Sequence, residues 1–111
     1  SDEIFSTGVE KVKKKISDIS DLAIDNNSEF YLVIYPWGET LVYGQKSFNW
    51  ENFAKEICLS GKCNLVNTFP EFRDKKNNDK FWYSNLYFIG DEHLNKKGNQ
   101  FLARILINEI F

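Results

Sequence analysis

Phe30-Tyr31-Leu32-Val33-Ile34-Tyr35-Pro36 is the stretch on which the fold turns: six consecutive apolar residues, mostly aromatic or β-branched, closed by a proline. A run of that length and composition predicts a strand. Because it is continuous rather than alternating, it predicts burial on both faces, the mark of a parallel sheet. Upstream, Val9, Val12, Ile16, Ile19, Leu22 and Ala23 recur at three- and four-residue spacing, so residues 8–25 read as an amphipathic helix with a lysine-rich outer face, stopping at Asn26 and Asn27. Downstream, a loop containing Gly38 and Gly44 leads to a second helical stripe, Trp50, Phe53, Ala54, Ile57 and Cys58, with Asn49 as N-cap and Gly61 as its stop. A second strand, Asn64 to Phe69, is again closed by a proline. Residues 71–80 are polar and charged and the aromatic segment 81–89 returns to the core, so the stretch reads as a surface excursion with room for a short helix, and a last helix starts near Asn95.

The order helix, strand, helix, strand, loop, helix predicts an α/β protein with right-handed crossovers, part of a three-layer doubly wound parallel sheet. Two strong strands are too few for such a layer, which ordinarily holds about five or six. The reading is therefore a single domain or half-domain over residues 1–111, with N-terminal strands supplied by an upstream segment, another chain or a second copy of this one.

Composition narrows the function classes. The chain has 111 residues, 42% apolar and 27% charged, which is the balance of a folded globular protein. A formal charge of −2 with no basic face gives no basis for a nucleic-acid partner. No apolar stretch approaches the roughly 20 residues of a membrane span, and no signal peptide is visible. Compartment stays undetermined between cytoplasmic, periplasmic and secreted. Cys58 and Cys63 stand five apart where a helix end turns into a strand; two partly buried thiols are the expected state, and a short disulfide is geometrically conceivable but does not follow from the spacing. Aromatic residues make up 16% of the chain, about twice a usual share.

The chemistry-bearing segment is Gly90-Asp91-Glu92-His93-Leu94-Asn95-Lys96-Lys97-Gly98-Asn99, which holds the single histidine. A general base for a serine nucleophile needs an imidazole whose far nitrogen is held by a carboxylate. Asp91 is two residues from His93, and in an extended or turning backbone both side chains point to one side. A capping or surface histidine beside a solvated carboxylate is the bland alternative. Asp91, Glu92 and His93 could instead hold a metal, but the spacing is weak for zinc, and no metal or other cofactor is expected.

Asp91, His93, Asn95, Gly98 and Phe101-Leu102-Ala103 resemble the last sequence block of the SGNH (GDSL-like) serine ester hydrolases and O-acyltransferases. Val33 to Trp37 and Asn64 to Pro70 are similar to that family's late core strands, so the resemblance covers roughly residues 9–111, the second half of the family's domain. It implies a flavodoxin-like layered fold, His93 as general base and acid, and Asp91 as its orienting partner. The implied substrate is an O-acyl ester, a small molecule or an acetylated glycan. Two departures stand out: the spacing is Asp-x-His where Asp-x-x-His is commoner, and the Gly-Asp-Ser block with the family's oxyanion-hole residues is missing. Ser6, Ser17, Ser20, Ser28, Ser47, Ser60 and Ser84 sit in neither Gly-Asp-Ser nor Gly-x-Ser-x-Gly.

Substrates of an open α/β sheet sit beyond the carboxyl ends of its strands. Tyr35 and Trp37 are therefore expected to stack on a sugar or acyl chain, with Asn95 as a third substrate contact. Sealing of the sheet edge is the alternative role for the two aromatic residues. A non-catalytic α/β module that binds carbohydrate or protein is the rival reading of the whole chain.

Overall fold

The computed structural model describes residues 2–111. In chain order the elements are α1 (Asp2–Asp25), β1 (Tyr31–Ile34), α2 (Gly38–Tyr43), α3 (Trp50–Gly61), β2 (Asn64–Asn67), α4 (Phe69–Asn78), α5 (Trp82–Leu86) and α6 (Lys96–Ile110). The chain is 65% helical, and β1 and β2 form a two-stranded parallel sheet. It divides into two compact units, one ending at Leu32 and resuming over Glu51–Leu65, the other comprising Val33–Trp50 and Val66–Phe111.

In the first unit, two helices end in the same way. At the end of α1, Asn27 takes the left-handed conformation (φ 54°), Ser28 N–H donates to the Ala23 carbonyl at 2.8 Å and Asn27 N–H to that of Ile24 at 3.1 Å. This paired pattern satisfies carbonyls that the helix itself leaves unpaired. At the end of α3, Lys62 is the left-handed residue (φ 57°) and Cys63 N–H donates to the Cys58 carbonyl at 3.1 Å. Those two residues are also joined by a disulfide, with Cα atoms 4.5 Å apart. The covalent bridge thus stands where such a helix end ordinarily makes an apolar contact. Gly61, expected as the stop, is the last helical residue, and the reversal falls one residue later. Ser20 of α1 is buried and donates its hydroxyl to the Lys62 carbonyl at 3.2 Å.

The second unit is built around Phe72, Leu86, Tyr87, Leu94 and Ile105, with Tyr35, Trp82, Tyr83 and Phe101 packed against them. The Phe101 ring meets Phe72 edge to face at 5.1 Å, a favoured aromatic geometry. Gly98 permits the close approach of α6 to α5: a Cβ there would overlap the Leu86 carbonyl. Gly38 plays the same part at the start of α2, where a Cβ would lie 2.5 Å from Cε2 of Tyr83.

The doubly wound three-layer sheet is not what the residues build. Both strands are only four residues long, and every residue of β1 is half-buried rather than enclosed on two faces. The segment after β1 expected as a loop holds a helix, and the excursion after β2 holds two helices, α4 and α5, where a short one is expected. Gly38 begins α2, and Pro70, taken above as the end of a strand, sits in the first turn of α4. Proline fits there because the first turn of a helix has no use for its missing N–H. Thr68, just before α4, is buried and gives its hydroxyl to the Ile34 carbonyl at 2.7 Å, while Asn67 Oδ1 accepts from Phe69 N–H at 3.0 Å. The apolar surface is therefore buried chiefly on helices, with a small sheet and no extended layer.

Candidate functional site

The loop between α5 and α6 is closed on itself by backbone bonds. Asn95 N–H donates to the Leu86 carbonyl at 2.9 Å, Phe88 N–H to that of His93 at 3.1 Å, and Asp91 N–H to that of Phe88 at 3.2 Å. The last of these closes a β-turn whose third residue is Gly90, at φ 77°, a conformation that glycine takes without steric cost. The turn leaves Asp91 pointing along the following backbone, where its Oδ1 accepts from His93 N–H at 2.9 Å. The same oxygen lies 2.5 Å from His93 Nδ1. The two residues that the sequence places two apart are thus brought into direct contact.

This contact has electrical consequences on both partners. The backbone N–H of His93, and then its side chain, hold the Asp91 carboxyl below its usual value of 3.8. The hydrogen bond to Asp91, and then its charge, raise the His93 imidazole above 6.5. When neutral, a ring that donates from Nδ1 to a carboxylate carries its free lone pair on Nε2, the tautomer a general base requires. His93 is 72% exposed, so that nitrogen sits on an open side chain. Ser20, Ser28, Ser60 and Ser84 all spend their hydroxyls on backbone carbonyls. Among the described residues, the bonded partner of the His93 ring is Asp91. Glu92 completes a trio whose ligand atoms lie within 4.8 Å of one another, an arrangement in which Nδ1 is already engaged by Asp91.

Asn95 stands at the N-cap of α6. Its Oδ1 accepts from Gly98 N–H at 2.9 Å, and its Nδ2 donates to the carbonyls of Ser84 at 2.7 Å and Tyr87 at 3.0 Å. These bonds occupy its side chain with tying the loop to both flanking helices.

Tyr35 and Trp37, in the same unit, line a cleft to which neither Asp91 nor His93 contributes. Together with Val33, Thr40, Trp50 and Phe69 they line an open cleft of about 330 Å³. The Tyr35 ring is half-buried against Phe72, whereas Trp37 is 54% exposed. The loop carrying Tyr35 and Trp37 is fastened to α5 and its successor. Tyr87, almost fully buried, donates its hydroxyl to the Pro36 carbonyl at 2.5 Å. Burial, and then the nearby Tyr35 and Tyr83, push the Tyr87 phenol well above its ordinary value, which keeps it a donor. Tyr83 lies on Gly38 with its ring and reaches the Asp91 carbonyl with its hydroxyl at 3.5 Å. One tyrosine ring therefore connects the edge of the cleft to the Asp91–His93 loop.

Trp50, Thr40 and Phe69 were not singled out as site residues from sequence. The periodicity places Trp50 on the apolar stripe of α3, yet the residue is 45% exposed. Thr40 lies in a helix that was read as loop. No family model, curated protein or solved structure matches this chain.

Proposed function

We propose that this chain supplies the general-base half of an ester hydrolase or O-acyltransferase of the SGNH type. The nucleophilic serine and the oxyanion donors come from chain outside these 111 residues. The observation that carries the reading is the 2.5 Å contact between Asp91 Oδ1 and His93 Nδ1, which presents Nε2 to an incoming hydroxyl. In the step envisaged, Nε2 takes the proton from the serine as its oxygen attacks the ester carbonyl. His93 then returns that proton to the leaving alcohol, and Asp91 stabilises the imidazolium between the two transfers.

The test is hydrolysis of p-nitrophenyl acetate by the natural full-length product, beside its His93→Ala variant. Activity that falls at least about 10³-fold in the variant supports the assignment. Absence of turnover, or turnover indifferent to residue 93, overturns it. The cleft favours one rival, a non-catalytic binding module, and that second outcome would leave it standing.

A further inference from the structure

We propose that the cleft beside Tyr35 and Trp37 is a binding site for an uncharged aliphatic chain of medium length, independent of whether the His93 pair is catalytic. Its walls are Tyr35, Trp37, Trp50 and Phe69, four aromatic side chains, with Val33 beneath them. The Thr40 hydroxyl, the Tyr35 phenol and the indole N–H groups of Trp37 and Trp50 are the polar side-chain groups among the lining residues, and no charged side chain is among them. A sugar would bring several hydroxyls into this space and find few partners for them, and polar groups buried without partners are costly. A carboxylate or ammonium group would have no counter-charge. The methylenes of an apolar chain give up no hydrogen bonds to water on entering, and a volume of about 330 Å³ falls at the small end of ligand pockets.

The walls are held open by the fold rather than left to collapse. Trp50 packs edge to face on Phe48 at 4.5 Å, and its backbone N–H donates to Gln45 Oε1 at 2.6 Å. On the opposite side, the Pro36–Gly38 backbone is pinned by Tyr87 and Tyr83. Trp37 and Trp50 consequently stay 54% and 45% exposed, large apolar surfaces facing one open space. A preformed apolar cleft binds without first spending interaction energy on ordering its walls.

The test is a titration of the ¹⁵N-labelled chain with butanamide, hexanamide and octanamide, following the three indole N–H signals. Saturable shifts of Trp37 and Trp50, with Trp82 unmoved, are expected. Affinity should rise about fourfold for each added methylene that is buried, or about fifteenfold between hexanamide and octanamide. Trp37→Ala and Thr40→Asp should each weaken octanamide at least tenfold, and Thr40→Asp, on the surface of a short helix, guards against a result that reflects only lost packing. Methyl glucoside shifting the same signals as strongly as octanamide would overturn the proposal, as would equal affinity across the amide series. Saturable octanamide binding in a full-length protein with no His93-dependent esterase activity would leave the cleft assigned and remove the catalytic reading.

Discussion

Two loops of the second unit, 35–38 and 88–93, are held by opposite means. The first is fixed from below by long-range contacts: the buried Tyr87 hydroxyl on the Pro36 carbonyl and the Tyr83 ring against Gly38. The second is fixed mostly by its own short-range bonds, a turn at Gly90 and Asp91 folding back onto His93. The first presents aromatic walls; the second presents an exposed acid–base pair. A binding surface needs shape, which burial supplies, whereas a proton-transfer pair needs orientation, which two hydrogen bonds to one carboxylate oxygen supply.

This contrast can be broken at several points. The largest effect belongs to the exposed loop. In the full-length protein, Asp91→Asn should cut ester turnover by about 10⁴-fold, since the amide favours the wrong imidazole tautomer, while the thermal midpoint barely moves. The pH profile sharpens the same point. A general base works in its neutral form, so turnover should rise as pH climbs through the raised His93 value, above the ordinary 6.5. In Asp91→Asn the residual activity should show that limb at lower pH.

The buried support should respond in the opposite sense, through stability. Gly98→Ala forces a methyl group into the Leu86 carbonyl and should cost about 3 kcal/mol in urea unfolding. Reducing the Cys58–Cys63 bridge acts on the other unit. It should lower stability by about 2 kcal/mol through the short loop it closes, without altering the titration of His93. Tyr87→Phe, which leaves the Pro36 carbonyl without its donor, should cost about 1.5 kcal/mol and loosen the Trp37 loop before it affects the dyad.

The parts of this molecule that were legible in sequence are those written in local chemistry. The start of the last helix near Asn95 is one of them, although the capping role of that side chain is not, and the two-residue spacing of Asp91 and His93 permits the contact that forms without dictating it. α1 and α3 were legible from their periodicity, although α1 starts at Asp2, six residues before the start its apolar stripe gives. What could not be read was set by packing between distant segments. The run Tyr31–Ile34 carries the apolar content of a fully enclosed strand, yet the sheet has a single neighbour for it and each residue is half-buried. The polar Phe69–Asn78 segment buries only Phe69 and Phe72, too few to show a stripe, and its proline was read as a stop rather than a start. The cleft combines β1, the loop after it, Trp50 and Phe69, four places whose proximity no spacing rule announces.

The central claim is that Asp91 holds His93 as a poised base, and the most direct measurement is the NMR titration of the His93 ring in the wild-type chain and in Asp91→Asn. The geometry predicts a neutral form protonated on Nδ1, an apparent pKa above 6.5 and a return toward 6.5 when Asp91 loses its charge. A ring that titrates at 6.5 in both proteins, or that carries its neutral proton on Nε2, would contradict the pairing and with it the assignment of His93 as a general base.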